Sequence, residues 1–171
     1  MKHIMGEDSR SVLTNVQDGD VQPNAVDLRL NKVFRINDAV FELTNEDKKH
    51  RGSVEVQPDA SGFFHLEPGS YEVVMENVIG VGDSEAGWVI TRSTLNRNGI
   101  FLTSGLYDSG YGFDKGTFTG GAMAGCMHVN CGVARIKKGT RIGQFINFDA
   151  EMLHHYDGSY GNHKEHDKKY K

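Results

Sequence analysis

The segment TRSTLNRNGIFLTSGLYDSGY, residues 91–111, carries the densest set of reactive side chains in this sequence. It opens on Arg92, Ser93 and Thr94, with Arg97 close behind. A guanidinium beside two hydroxyls can surround phosphate oxygens, because arginine supplies bidentate, charge-assisted donors. The same triplet also suits an ordinary strand end with turn-forming hydroxyls, and Arg97 can simply lie in solvent. Asp108 sits within GLYDSGY. An aspartate there commonly serves its own turn, and it becomes a general base only where a phosphate site holds an electrophile nearby. Tyr111 can lay its ring against a sugar or can be a half-buried tyrosine on a sheet. In RIGQF, Arg141 and Gln144 are placed so that an unbroken strand puts them on opposite faces; a bulge would bring them together. Gln144 can donate to a phosphate oxygen or satisfy a neighbouring strand.

The C-terminal stretch HHYDGSYGNHKEHDKKYK, from His154 onward, has no packing periodicity and reads as a flexible tail following a single domain over residues 1–153. Its histidines at 154, 155, 163 and 166 invite a metal reading, but no ligand spacing stands out. Tyr156, Tyr160 and Lys164 suit a flap over a nucleotide, with rings against a base and an ammonium on a phosphate.

The elements that would position these groups read as strands. Short alternating or apolar runs bounded by Gly, Asn and Asp recur: VDLRL (26–30), KVFRI (32–36), VFEL (40–43), YEVVMENV (71–78), GWVITR (87–92), TFTGGAM (117–123), HVNCGVARI (128–136) and RIGQFINFD (141–149). That is the pattern of an all-β sandwich or barrel. Pro68-Gly69 and Gly139 mark turns. Residues 8–18 are the one place where a short helix or an irregular arm is expected.

The totals narrow the function classes. A chain of 171 residues is a one-domain length. A formal net charge of -4 argues against non-specific nucleic-acid binding, although a local pocket can still be basic. Cys126 and Cys131 form no CxxC pair, so they read as reduced thiols. MKHIMGEDSR lacks the apolar core of a signal peptide, and no apolar run approaches the roughly 20 residues of a membrane span. A cytoplasmic location is therefore expected.

QPNAVDLRL (22–30), TRSTLNRNGI (91–100), GLYDSGY (105–111) and RIGQF (141–145) occur in the order of the motifs of the dUTPase and dCTP deaminase superfamily, which this chain resembles from about residue 20 onward. LEPGSYEVVMENV resembles that superfamily's Pro-Gly turn and following strand, whereas residues 44–64 diverge. Thr91 stands where the family has glycine, and Thr94 where it has a second serine. The resemblance implies a distorted, jelly-roll-like β-barrel of the dUTPase type, assembled as a homotrimer with shared active sites and using Mg²⁺. It implies that Asp108 activates the water attacking the α-phosphorus, and that Tyr111 stacks on deoxyribose. Arg92, Ser93 and Gln144 would bind the triphosphate, and Thr94 and Arg97 beside them are further substrate-binding candidates. Main-chain groups of the hairpin, including Gly105 and Leu106, would read the base, and Asp27 would reach the metal through water.

Within the superfamily the residues favour dUTP hydrolysis to dUMP and pyrophosphate. Deaminases place a glutamate in the strand after the hairpin; here no Glu or Asp occurs between Asp114 and Asp149. The ending YDGSYGN nevertheless resembles the deaminase tail YxGKYQ, with Ser159 in the lysine position and Lys164 as the nearest substitute. The alternatives are a dCTP deaminase, a bifunctional deaminase and dUTPase, a nucleotide-binding regulator that has lost turnover, and a plain structural β-sandwich.

Overall fold

The computed structural model describes residues 4, 6–158, 160–161 and 166–170, with the backbone alone of His166. Six antiparallel strands form its centre: β1 (Ala25–Ile36), β2 (Gly69–Gly80), β3 (Glu85–Thr91), β4 (Ile100–Thr103), β5 (Gly121–Val129) and β6 (Arg141–Asp149). They pair in the order β1–β2–β5–β4–β3–β6 and return to β1, which closes a barrel. Closure pairs every strand on both sides and so removes the exposed edges that invite aggregation. The expected all-β barrel is therefore the observed fold.

Alternation along the strands sends one set of side chains inward. Leu28, Leu30, Val33, Val73, Met75, Val89, Leu102, Met127, Ile142 and Phe145 fill the interior. Each fully buried aliphatic contributes roughly 1.5–3 kcal/mol relative to exposure. Register shifts between Leu30 and Lys32, between Ala122 and Ala124, and between Arg141 and Gly143 mark irregularities in the ladders. Such bulges increase local twist, which a small closed sheet requires.

Several expected elements have different bounds. VDLRL and KVFRI are one continuous strand, because the Leu30/Lys32 irregularity bends β1 without ending it. TFTGGAM breaks at Thr119–Gly120: Thr117–Phe118 pairs with Phe113–Asp114, and β5 begins only at Gly121. HVNCGVARI splits at the 130–133 turn, and Ala134–Lys137 pairs instead with Phe63–Leu66, a strand not anticipated. VFEL shrinks to Glu42–Leu43. No helix forms over 8–18; the segment is the expected arm, with Val12–Leu13 paired to the end of β2. The helices are short, α1 (Ser93–Asn96) and a 3-10 turn at His166–Tyr170, and among the described residues no helix is long and apolar enough to cross a membrane.

The arm is fastened by one buried carboxylate. Glu85, at the start of β3, accepts hydrogen bonds from the Ser9 and Ser11 hydroxyls, the Arg10 and Ser11 amides, and Asn147 Nδ2. Burial pushes its carboxyl upward, but the bonds from Ser11, Arg10, Asn147 and Ser9 outweigh that, so it lies below the ordinary 4.5. A depressed carboxyl stabilises the folded state fully above pH 4.5, and that contribution is lost as pH falls through the folded-state value. Amide exchange at residues 9–11 should accelerate below pH 4.5 before the barrel amides do. Glu85→Ala should lower stability by roughly 1–3 kcal/mol in urea titrations, because its donors stay buried without an acceptor.

Candidate active site

Asp27 lies on β1 between the core residues Val26 and Leu28, and its side chain is fully buried. A carboxylate there needs compensation. Gln144, its cross-strand partner on β6, donates from Nε2 to Oδ1 at 3.0 Å. Arg92, just past the end of β3, brings Nε to 3.3 Å of Oδ1. Arg141 brings Nη1 to 3.3 Å of Oδ2, outside hydrogen-bonding geometry, so that contact is purely Coulombic. The irregularity between Arg141 and Gly143 resolves the spacing problem in RIGQF, since Arg141 and Gln144 both reach Asp27.

Arg92 is further held by donation from Nη1 to the Arg141 carbonyl at 3.1 Å. These contacts engage Nε and Nη1 and leave the Nη2 edge for an incoming anion. Ser93 and Thr94 follow on α1, with Arg92 and Arg97 as its caps, and Ser93, Thr94 and Arg97 are exposed to solvent, so the triplet opens a helical turn. The outcome is a basic, half-exposed patch on an acidic protein.

Asp108 is placed elsewhere. It follows Tyr107, which bridges Gly87 near the start of β3, whereas Arg92 follows that strand's other end. Five residue steps along the strand lead from Gly87 to Arg92, about 16 Å at the usual rise. The Asp108 carboxylate is exposed and makes no hydrogen bond among the described residues. Beside it Tyr111 is buried, its hydroxyl donating to the Ala122 carbonyl at 2.8 Å. Its ring rests on Gly121, where any Cβ would collide with it, and burial pushes its phenol up. Tyr111 is thus a fixed neutral wall. Tyr107 stands edge-on at 5.3 Å, its hydroxyl bonded to the Ala124 carbonyl.

Both tyrosines, with Gly105 and Leu106, line a cavity of about 540 Å³. Thr103, Ser104 and residues 122, 124, 125 and 126 of β5 also line it, and none of these carries a carboxylate; Glu72 and Asp167 are the acids on its wall. The tail closes the rim. The Tyr156 amide donates to the Ser109 carbonyl, its ring meets Tyr111 at 5.5 Å, and its hydroxyl accepts from the Tyr160 amide. Lys164 lies outside the described residues. Sequence reasoning missed Glu72, Cys126 and His50 in this wall, because they come from strands and a hairpin with no motif of their own.

The described residues contain no group of three or more His, Cys, Asp or Glu arranged to hold a metal. Asp27 does not fit Mg²⁺, directly or through water. Its oxygens are closed to solvent and face two guanidiniums, whereas Mg²⁺ requires accessible oxygen ligands and retains its waters.

The model of the dCTP deaminase-like family matches residues 2–150. This chain belongs to the dCTP deaminase-like family. Among its family relatives is a probable deoxyuridine 5′-triphosphate nucleotidohydrolase of Aeropyrum pernix, 29% identical over 151 residues, covering 87% of this chain and 89% of the relative. A protein of the same name from Halobacterium salinarum is 31% identical over 157 residues, covering 85% of each. The fold is similar to that of a 2′-deoxycytidine 5′-triphosphate deaminase from Agrobacterium tumefaciens, with a TM-score of 0.57 and 16% identity. That likeness covers 79% of this chain and 42% of the solved one, and concerns the fold alone.

Asp27→Asn keeps the size of the side chain and removes the charge that holds both arginines. It should cost roughly 1–3 kcal/mol in urea unfolding, discounted because the arginines are partly exposed and can rehydrate.

Proposed function

We propose that this protein hydrolyses dUTP to dUMP and pyrophosphate in the cytoplasm. The observation that carries this reading is the exposed Asp108 carboxylate, without a hydrogen bond among the described residues, next to Tyr107 and Tyr111 in a cavity wall that also includes residues 103–106. Its chemistry is a water attack at phosphorus. The water oxygen bonds to the α-phosphorus, the bond to the bridging oxygen breaks, pyrophosphate departs in line, and Asp108 accepts the water proton. Arg92, Ser93, Thr94, Arg97 and Gln144 bind the triphosphate and neutralise its charge. The rigid Tyr111 ring flanks the deoxyribose, leaving no space for a ribose hydroxyl. Gly105 and Leu106 present main-chain groups to the base, and Tyr156, Tyr160 and Lys164 close over the nucleotide.

Asp108 and Arg92 of one chain flank opposite ends of β3, so a phosphoryl group held by that Arg92 is out of reach of that Asp108. The site is completed by another copy, in a homotrimer whose three sites each combine Asp108 of one chain with Arg92 of the next. Mg²⁺ would enter on the triphosphate oxygens and lower their charge. Because Asp27 does not fit it, no step is assigned through the metal.

Pyrophosphate release should be confined to dUTP among the common deoxy- and ribonucleoside triphosphates, with no ammonia from dCTP. Asp108→Asn should reduce kcat by about 10²–10⁴ without weakening binding to match. Release of ammonia from dCTP, or unchanged turnover in that variant, would overturn the assignment. A shared site makes a further demand. Asp108→Asn and Arg92→Ala homomers should each be nearly inactive, and refolding them together should restore a fraction of wild-type activity through mixed trimers. Homomer mixtures that stay inactive after verified subunit exchange would place both residues in one chain's site.

A further inference from the structure

β4 and β5 run paired from Ile100↔Val129 to Thr103↔Cys126 and then part. Beyond that fork, residues 104–106 have no strand partner until Tyr107 bridges Gly87. The 540 Å³ cavity opens between the parted segments, with Thr103–Leu106 on one side and residues 122, 124, 125 and 126 on the other. A flat heterocycle edged into such a fork meets main-chain donors and acceptors on its rim, and small side chains leave room for its faces. β5 supplies that room with Ala122, Ala124 and Gly125. Cys126 is the last residue still laddered, at the vertex, and it lines the cavity.

Its surroundings fix the thiol. Cys126 Sγ lies 3.3 Å from His128 Nε2, and His128 Nδ1 lies 3.0 Å from Ser70 Oγ. Glu72 faces Cys126 across the β5–β2 ladder. Burial and then the Glu72 carboxylate raise the thiol above its ordinary value. The group presented to the cavity at neutral pH is a compact, weakly polar S–H, suited to contact and not to nucleophilic attack.

We propose that Cys126 closes the blind end of the pyrimidine pocket and touches the base, so that the size and covalent state of its thiol govern dUTP binding. The inference rests on the dUTP reading above and adds to it a residue that determines base fit. Cys131, the second cysteine, is exposed in the turn after β5 and lies outside the cavity.

The experiment uses the full chain carrying Cys131→Ser, which leaves one thiol. N-ethylmaleimide adds to that thiol, sulfur bonding to one alkene carbon and the thiol proton ending on the other. Intact mass and residual dUTP turnover are followed with the non-hydrolysable analogue dUpNHpp, with inorganic tripolyphosphate, or with neither, and calorimetry measures dUpNHpp binding separately. Alkylation should abolish turnover, dUpNHpp should slow it about tenfold or more, and tripolyphosphate, which lacks a base, should give no protection. Cys126→Leu should raise KM for dUTP about tenfold at little change in kcat, whereas Cys126→Ser should raise it less, with melting curves confirming that both fold. Should the thiol resist the reagent, the Leu variant decides alone, and an unchanged KM overturns the proposal. Full activity after alkylation, or tight dUpNHpp binding without protection, overturns the role of Cys126 and leaves the dUTP reading standing. No dUpNHpp binding at all sinks both.

Discussion

The charge on Asp27 organises this molecule's chemistry. A carboxylate sealed between Val26 and Leu28 is tolerable only where cations and donors reach it. The barrel supplies them at the seam where β6 closes onto β1, with Gln144 opposite and an arginine on each oxygen. Segments distant in sequence, at residues 22–30, 91–97 and 141–145, thereby converge. Satisfying the carboxylate uses only part of each guanidinium. On the proposed reading, the unused donors form an anion-binding edge, and the interaction that helps close the fold also aims the phosphate-binding groups.

That arrangement sits at one end of β3, and the Asp108 turn packs near the other. The strand is a rigid spacer, paired with β6 along its whole length and held at Ile90 and Gly87 on its other side, so no side-chain motion brings the two together. On the proposed reading, shared sites follow from this spacing: each chain offers an electrophile holder at one end and a water-activating acid at the other. The aromatic stack of Tyr107, Tyr111 and Tyr156 then serves both stability and fit, since rings that belong to the core also wall the cavity.

The barrel was legible because its evidence is local. Alternation in VDLRL and RIGQFINFD, the Pro68-Gly69 turn and Gly139 each act within a few residues. What could not be read depends on partners far along the chain. Whether VDLRL and KVFRI are one strand or two is settled by β2, against which the irregularity forms. The approach of Arg141 and Gln144 to one carboxylate required the same kind of irregularity on β6. The site motifs could be named from their order, but the separation of Asp108 from Arg92 emerges only once Tyr107 is seen to pair with Gly87. Glu85 gave no signal at all, since its partners are ordinary serines, backbone amides and an asparagine gathered from both ends of the chain.

The absence of an acid from β5 has a physical basis in the packing around the cavity. Gly121 must be bare because the Tyr111 ring lies where its Cβ would stand. The carbonyls of Ala122 and Ala124 are occupied by the two tyrosine hydroxyls, which holds that segment close against the rings. Position 126 does face the cavity, but directly across the ladder stands Glu72, fastened by Ser53 and Lys169. A second carboxylate there would oppose the first at cross-strand distance, an arrangement that destabilises a sheet. With Glu72 engaged in this way, a thiol is compatible at the fork and a glutamate is not. The cavity is left without a carboxylate on β5, while Asp108 stays exposed in the turn after Tyr107. On the proposed reading, Asp108 is then the proton acceptor at the phosphates, the division of chemistry that hydrolysis requires.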